Sequence, residues 1–121
     1  MNAPDRFELH LLGEGEKKVT WQEVTNVPHT CIFTFNKEDH TLGNLLSQKL
    51  HKYPFVKFSA YKVPHPLFAT FDLRLTTDGS VSPRDALIQS CRDVVNELEI
   101  LAREFTKEME LKKIAKAGGE A

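Results

Sequence analysis

The sequence predicts an α+β protein: a two-layer fold with a four-stranded, largely antiparallel sheet and two helices on one face, in the order ββαββα. Three observations carry this. Four runs alternate apolar and polar residues, as half-buried strands do. A leucine stripe at helical spacing interrupts them after the second run. A long uninterrupted periodic segment then closes the chain.

The long segment, residues 82 to about 116, has the clearest signals. Ser82 can cap the first free N–H groups, Pro83 suits the first helical position, and Asp85 stands where a capping-box acid belongs. No Pro or Gly follows until Gly118-Gly119. Leu87, Cys91, Val94, Leu98, Leu101 and Phe105 recur at steps of four and three, a heptad seam. Ile88, Val95, Ala102 and Met109 add a second line beside it, so the apolar face is broad. A helix of about 34 residues is ~50 Å long. A compact domain of this size has a radius of gyration of only ~14 Å. One such body cannot cover the whole stripe, so the Leu87–Phe105 seam is expected to meet another polypeptide. Residues 110–121 are polar enough to fray.

The remaining elements follow in chain order. Residues 6–12 alternate Phe7, Leu9 and Leu11 against Glu8 and His10. They read as a short edge strand or as part of an N-terminal arm, residues 1–16. Gly13-Glu14-Gly15-Glu16 breaks the run. Residues 17–24, with Val19 and Trp21 on one face, and residues 30–36, with Cys31, Phe33 and Phe35 inward, form a hairpin across a turn at residues 25–29, which holds Asn26 and Pro28. Asp39 or Thr41 caps the next helix, whose stripe is Leu42, Leu45, Leu46 and Leu50. Gly43 lies inside its first turn at a cost of ~1 kcal/mol against Ala, which suggests close approach of another backbone or helix. Tyr53-Pro54 ends it. Residues 55–63 are the third strand, with Val56, Phe58 and Ala60 on one side. Pro64-His65-Pro66 is a rigid loop. Residues 68–77 are the fourth strand, with Phe71, Leu73 and Leu75 on one face.

The totals narrow the function classes. The chain has 121 residues, enough for one domain, and its net charge is −1. That balance provides no bulk attraction to DNA, RNA or an anionic membrane. Cys31 and Cys91 are far apart and in apolar settings, which fits reduced core thiols of an intracellular protein better than a disulfide or zinc site. No run resembles a signal peptide or a membrane span. The five histidines show no metal-ligand spacing, and no cofactor motif is present. Glu38-Asp39-His40, with His65, is the most catalytic-looking cluster. Its acids have capping work to do, however, and adjacent residues at a helix start point in different directions. Phe33, Phe35, Phe58 and Phe71 could stack bases, but they alternate with polar residues as core residues do.

The stretch Glu38-Asp39-His40-Thr41-Leu42-Gly43-Asn44 resembles the signature of the small alpha-like subunits of cellular RNA polymerases. Val56-Lys57-Phe58 and Tyr61-Lys62-Val63-Pro64-His65-Pro66 continue it at the expected spacing. Met1-Asn2-Ala3-Pro4, Phe7-Glu8 and Gly13-Glu14-Gly15-Glu16 resemble the RNA polymerase II branch of that family. The resemblance runs to about Phe105. It implies a single alpha-like dimerisation domain across residues 1–121 that is not catalytic alone. It implies a heterodimer with the larger alpha-like subunit, the third of RNA polymerase II. That heterodimer nucleates assembly of the two large catalytic subunits in the nucleus, and contact with DNA comes only through the complex. By position, the family's contact residues fall on Leu42, Gly43, Leu45, Leu46, Leu50 and the Leu87–Phe105 seam, with Gly43 letting paired first helices approach. Two other readings stay open on the residues alone: a nucleic-acid-binding module and a self-associating homodimer.

Overall fold

The computed structural model describes residues 6–119. Met1-Asn2-Ala3-Pro4 and the last two residues of the tail lie outside them. The chain divides into two compact units, residues up to Ser90 and residues from Cys91 onward.

The first unit is built on one antiparallel sheet. Its strands are β1 (Val19–Glu23), β2 (Thr30–Asn36), β3 (Val56–Lys62) and β4 (Thr70–Thr77), in the spatial order β1-β2-β4-β3. Helix α1 (His40–His51) packs on β3 and β4. The second helix, α2 (Pro83–Gly119), starts in this unit and supplies all of the other.

The core follows from period-2 alternation. Phe33 and Phe35 on β2 stand opposite Leu73 and Phe71 on β4, and Cys31 stands opposite Leu75. All six are buried, and Leu46, Leu50, Ala86 and Leu87 join them from the helices. Phe35 stacks on Phe71 with centroids 4.6 Å apart, and the edge of Tyr61 meets Phe71 at 6.0 Å. On the opposite face of the sheet Thr34 Oγ1 donates to Asp72 at 2.8 Å, as expected of the polar side.

Four expectations change. Residues Arg6–Leu9 form a 3-10 helix, not a strand. The amide of Leu11 donates to the carbonyl of Phe7, a local closure that replaces any ladder. On β3 the register shifts between Val56 and Phe58, a β-bulge at Lys57. The extra residue reverses the phase, so Ser59 and Tyr61 turn toward the core and Phe58 turns outward, 46% exposed. Cys31 is buried as expected, but Cys91 is exposed. Finally, Val19 and Trp21 share a face with their partners Phe35 and Phe33, yet remain 39% and 51% exposed. The α1 layer covers the β3–β4 side of the sheet and leaves that end open.

Candidate dimerisation surface

Helix α1 is held in place by the residues of the Glu38–Asn44 signature. Asp39 is the N-cap, and its carboxylate accepts from the Thr41 amide at 2.9 Å. That hydrogen bond holds the Asp39 carboxyl below the usual carboxylate range. Glu38 pairs with Lys18 at 2.8 Å, tying the helix entry to the segment before β1. His40 Nδ1 and Tyr61 Oη share a hydrogen bond of 3.0 Å. The Tyr61 ring abuts Gly43, where an added Cβ would sit 2.6 Å from it. Within this chain, the close approach that Gly43 permits is made by an aromatic ring. Ser47 and Ser59 exchange side chain-to-backbone hydrogen bonds of 3.3 and 3.4 Å, both buried. The signature segments around residues 40 and 60 thus form one lock between α1 and β3.

The lock fixes which face of α1 is spent internally. Gly43, Leu46, Ser47 and Leu50 are buried. Leu46 and Leu50 belong to the chain's own core, so they cannot also present a surface. Leu42 is partly buried against that core, and Leu45 is 43% exposed. The leucine stripe is wider than the sheet uses, and Leu42 and Leu45 form its open margin beside exposed Asn44.

Helix α2 begins as its sequence indicates. Ser82 Oγ accepts from the Asp85 amide at 3.2 Å. Leu87 is buried at 7% exposure, and Ser90 turns its hydroxyl back to the Leu87 carbonyl at 2.7 Å. Within the second unit Val94 is buried, whereas Val95, Leu98, Leu101 and Phe105 are 53 to 65% exposed. Nothing among the described residues covers these four. The helix continues through Met109, Leu111 and Ile114 to Gly119.

The other signature positions have mixed settings. Val56 packs on the core margin, Phe58 faces outward, and Pro66 is exposed. His65 Nδ1 accepts from the Leu67 amide at 3.1 Å. The side chains of Asp39, His40 and His65 are thus engaged in capping, in Tyr61 and in a loop. Of the four aromatics offered for base stacking, Phe33, Phe35 and Phe71 are buried in the core.

An apolar helical margin without a cover is what a dimerisation domain presents. The profile of the RNA polymerase Rpb3/Rpb11 dimerisation domain matches residues 30–104. The chain belongs to that family. It is 48% identical over 101 residues to a probable DNA-directed RNA polymerase II subunit RPB11 of Caenorhabditis briggsae, covering 84% of this chain and 82% of that protein. To the RNA polymerase II subunit RPB11 of Schizosaccharomyces pombe it is 39% identical over 120 residues, covering 99% and 97%. The crystal structure of RNA polymerase subunit L from Thermoplasma acidophilum superposes with a TM-score of 0.62 at 19% identity, over 78% of this chain and 92% of that one. That likeness speaks for the fold. The matched segment runs from β2 into α2 as far as residue 104, and so contains α1 and the part of α2 that carries Val95, Leu98 and Leu101.

Sequence reasoning missed Tyr61 as the partner of Gly43. The signal was present as a glycine at a costly helical position together with an aromatic residue in the following strand. Only the β-bulge turns that aromatic inward.

Proposed function

We propose that this chain is a non-catalytic assembly subunit of DNA-directed RNA polymerase II. It forms a heterodimer with an Rpb3-like, larger alpha-like subunit, and the pair nucleates assembly of the large catalytic subunits in the nucleus. The whole chain acts as one dimerisation module, with residues 1–16 as an arm and residues 110–121 as a tail outside the dimer contact.

The observation that carries this reading is the exposed apolar run Leu98, Leu101 and Phe105 on α2, whose first two residues lie inside the segment matched by a dimerisation-domain family and whose third follows directly on its end. Full burial of one such side chain contributes ~1.5–3 kcal/mol relative to exposure. The three together give a gross ~5–9 kcal/mol, with exposed Val95 and Cys91 on the same helix. Ordering and lost rotational freedom offset part of that gain.

The test is co-expression with the Rpb3-like subunit, followed by sedimentation. The wild-type pair is expected to migrate as a 1:1 complex and the isolated chain to associate or aggregate. Leu98→Asp should strongly weaken the complex while leaving the circular dichroism of the chain intact. A stable, dilute monomer, indifferent to Leu98→Asp, overturns the reading. A stable homodimer that ignores the Rpb3-like subunit replaces it with self-association.

A further inference from the structure

The two flanks of the α2 seam differ in charge. In the second unit the seam is Cys91, Val94, Leu98, Leu101 and Phe105. Glu97 and Glu104 stand seven residues apart, each just before a seam residue, and Glu108 falls at the next seam position. Seven residues are close to two helical turns, so these carboxylates line one side of the apolar run. Val95, Ala102 and Met109, also seven apart, line the other side. All six are exposed. Arg92, Glu99, Arg103 and Lys107 fall on the outer face of the helix, away from the seam.

This asymmetry bears on what can cover the seam. A second copy of α2 laid antiparallel brings the two acidic rows together. Laid parallel, it sets each acidic row against the apolar line of the other copy, where carboxylates lose water and gain no counter-charge. Charges at such flanking positions are how helix pairs choose and reject partners. The apolar seam alone does not discriminate, because it is as greasy for a copy as for any other helix.

We propose that Glu97, Glu104 and Glu108 are the specificity-determining residues of the α2 interface. They oppose self-association and select a partner helix whose apolar seam is flanked by lysine or arginine along the facing row. This rests on the proposed function, which puts the Rpb3-like subunit on this seam, and adds the chemistry that subunit's helix must carry. An exposed charge pair contributes a factor of only about two to five in affinity, so three in register give roughly tenfold to a hundredfold.

Salt separates charge from apolar contact, because screening weakens attraction and repulsion alike. The Kd of the full chain with the Rpb3-like subunit, read by titration calorimetry, should rise about tenfold between about 50 mM and about 500 mM salt. Over the same range, self-association of the isolated chain, read by sedimentation equilibrium, should tighten. The triple variant Glu97→Gln, Glu104→Gln, Glu108→Gln keeps side-chain length and helix propensity, so its circular dichroism should match the wild type. It should weaken the heterodimer about tenfold at low salt, remove the salt dependence and strengthen self-association. Glu99→Gln, on the outer face, should change either equilibrium by no more than about twofold. A heterodimer Kd that ignores salt, or that the triple variant leaves unchanged or lowers, overturns the proposal. Self-association that weakens as salt rises overturns it too. A chain that forms no heterodimer at any salt concentration defeats the proposed function, and this proposal with it.

Discussion

The sheet unit and the second unit spend their apolar residues in opposite ways. In the first, Phe33, Phe35, Phe71, Leu73 and Leu75 are at most 4% exposed, and the β-bulge even turns a serine and a tyrosine inward to keep the layer closed. In the second, Leu98, Leu101 and Phe105 are each more than half exposed. Both regions carry periodic apolar residues in the sequence. The difference lies in what pairs with them. A strand finds its cross-strand neighbours and a covering helix within the same chain, whereas a single helix cannot cover its own stripe. The first unit is therefore a finished interior and the second an unfinished one.

Substitutions in the two regions should separate stability from assembly. The largest effect on folding is expected from Phe71→Ala, which empties the site between Phe35 and Tyr61. It should cost about 3–5 kcal/mol, read as a fall in denaturant midpoint. The counterpart in the second unit, Leu98→Asp, should leave that midpoint nearly unchanged yet weaken the heterodimer by about 2–4 kcal/mol, roughly 30- to 1,000-fold in Kd by titration calorimetry. Equal loss of stability in both variants would break the contrast.

Gly43→Ala sharpens it, because α1 belongs to both worlds. The added methyl meets the Tyr61 ring and should cost about 1–3 kcal/mol of stability. Tyr61→Ala should relieve most of that clash, so the double mutant cycle is strongly non-additive. An additive cycle would show that Gly43 serves a partner helix after all. Ser82→Ala removes the cap of α2 and should cost about 1 kcal/mol.

The smallest effect concerns pH. The Asp39 carboxyl is held low by the Thr41 amide. A depressed carboxylate contributes stability that is fully present above its unfolded value, about 3.9, and is lost as pH falls through the lower folded value. Asp39→Asn should therefore flatten the acid limb of the stability profile below about pH 4 and change little at neutral pH. A wild-type acid limb in that variant would show that the cap is not ionic.

Much of the architecture was legible in order. The caps at Asp39 and Ser82, the hairpins and the stripe of α2 are local features, and local hydrogen bonding and periodicity announce them. The Glu38–Asn44 signature pointed to a family, and profile and relatives agree. What misled was any position whose side depends on a neighbour. Phe58 alternates correctly with Val56 and Ala60, yet one bulged residue sends it outward. Val19 and Trp21 alternate correctly too, yet they remain exposed. Residues 6–12 carry a strand-like pattern and close on themselves because no ladder receives them.

The sequence by itself determined which residues are apolar at which spacing, where helices start, and that α2 has more greasy surface than a chain of this size can hide. Tertiary structure alone decided how that surface is divided: Leu46, Leu50 and Leu87 inward, Leu45, Leu98 and Phe105 outward, Gly43 under Tyr61. The reason is physical. Periodicity sets the angle of a side chain about its own element, but burial depends on whether another element lies at that angle, and that is settled only when the chain is folded.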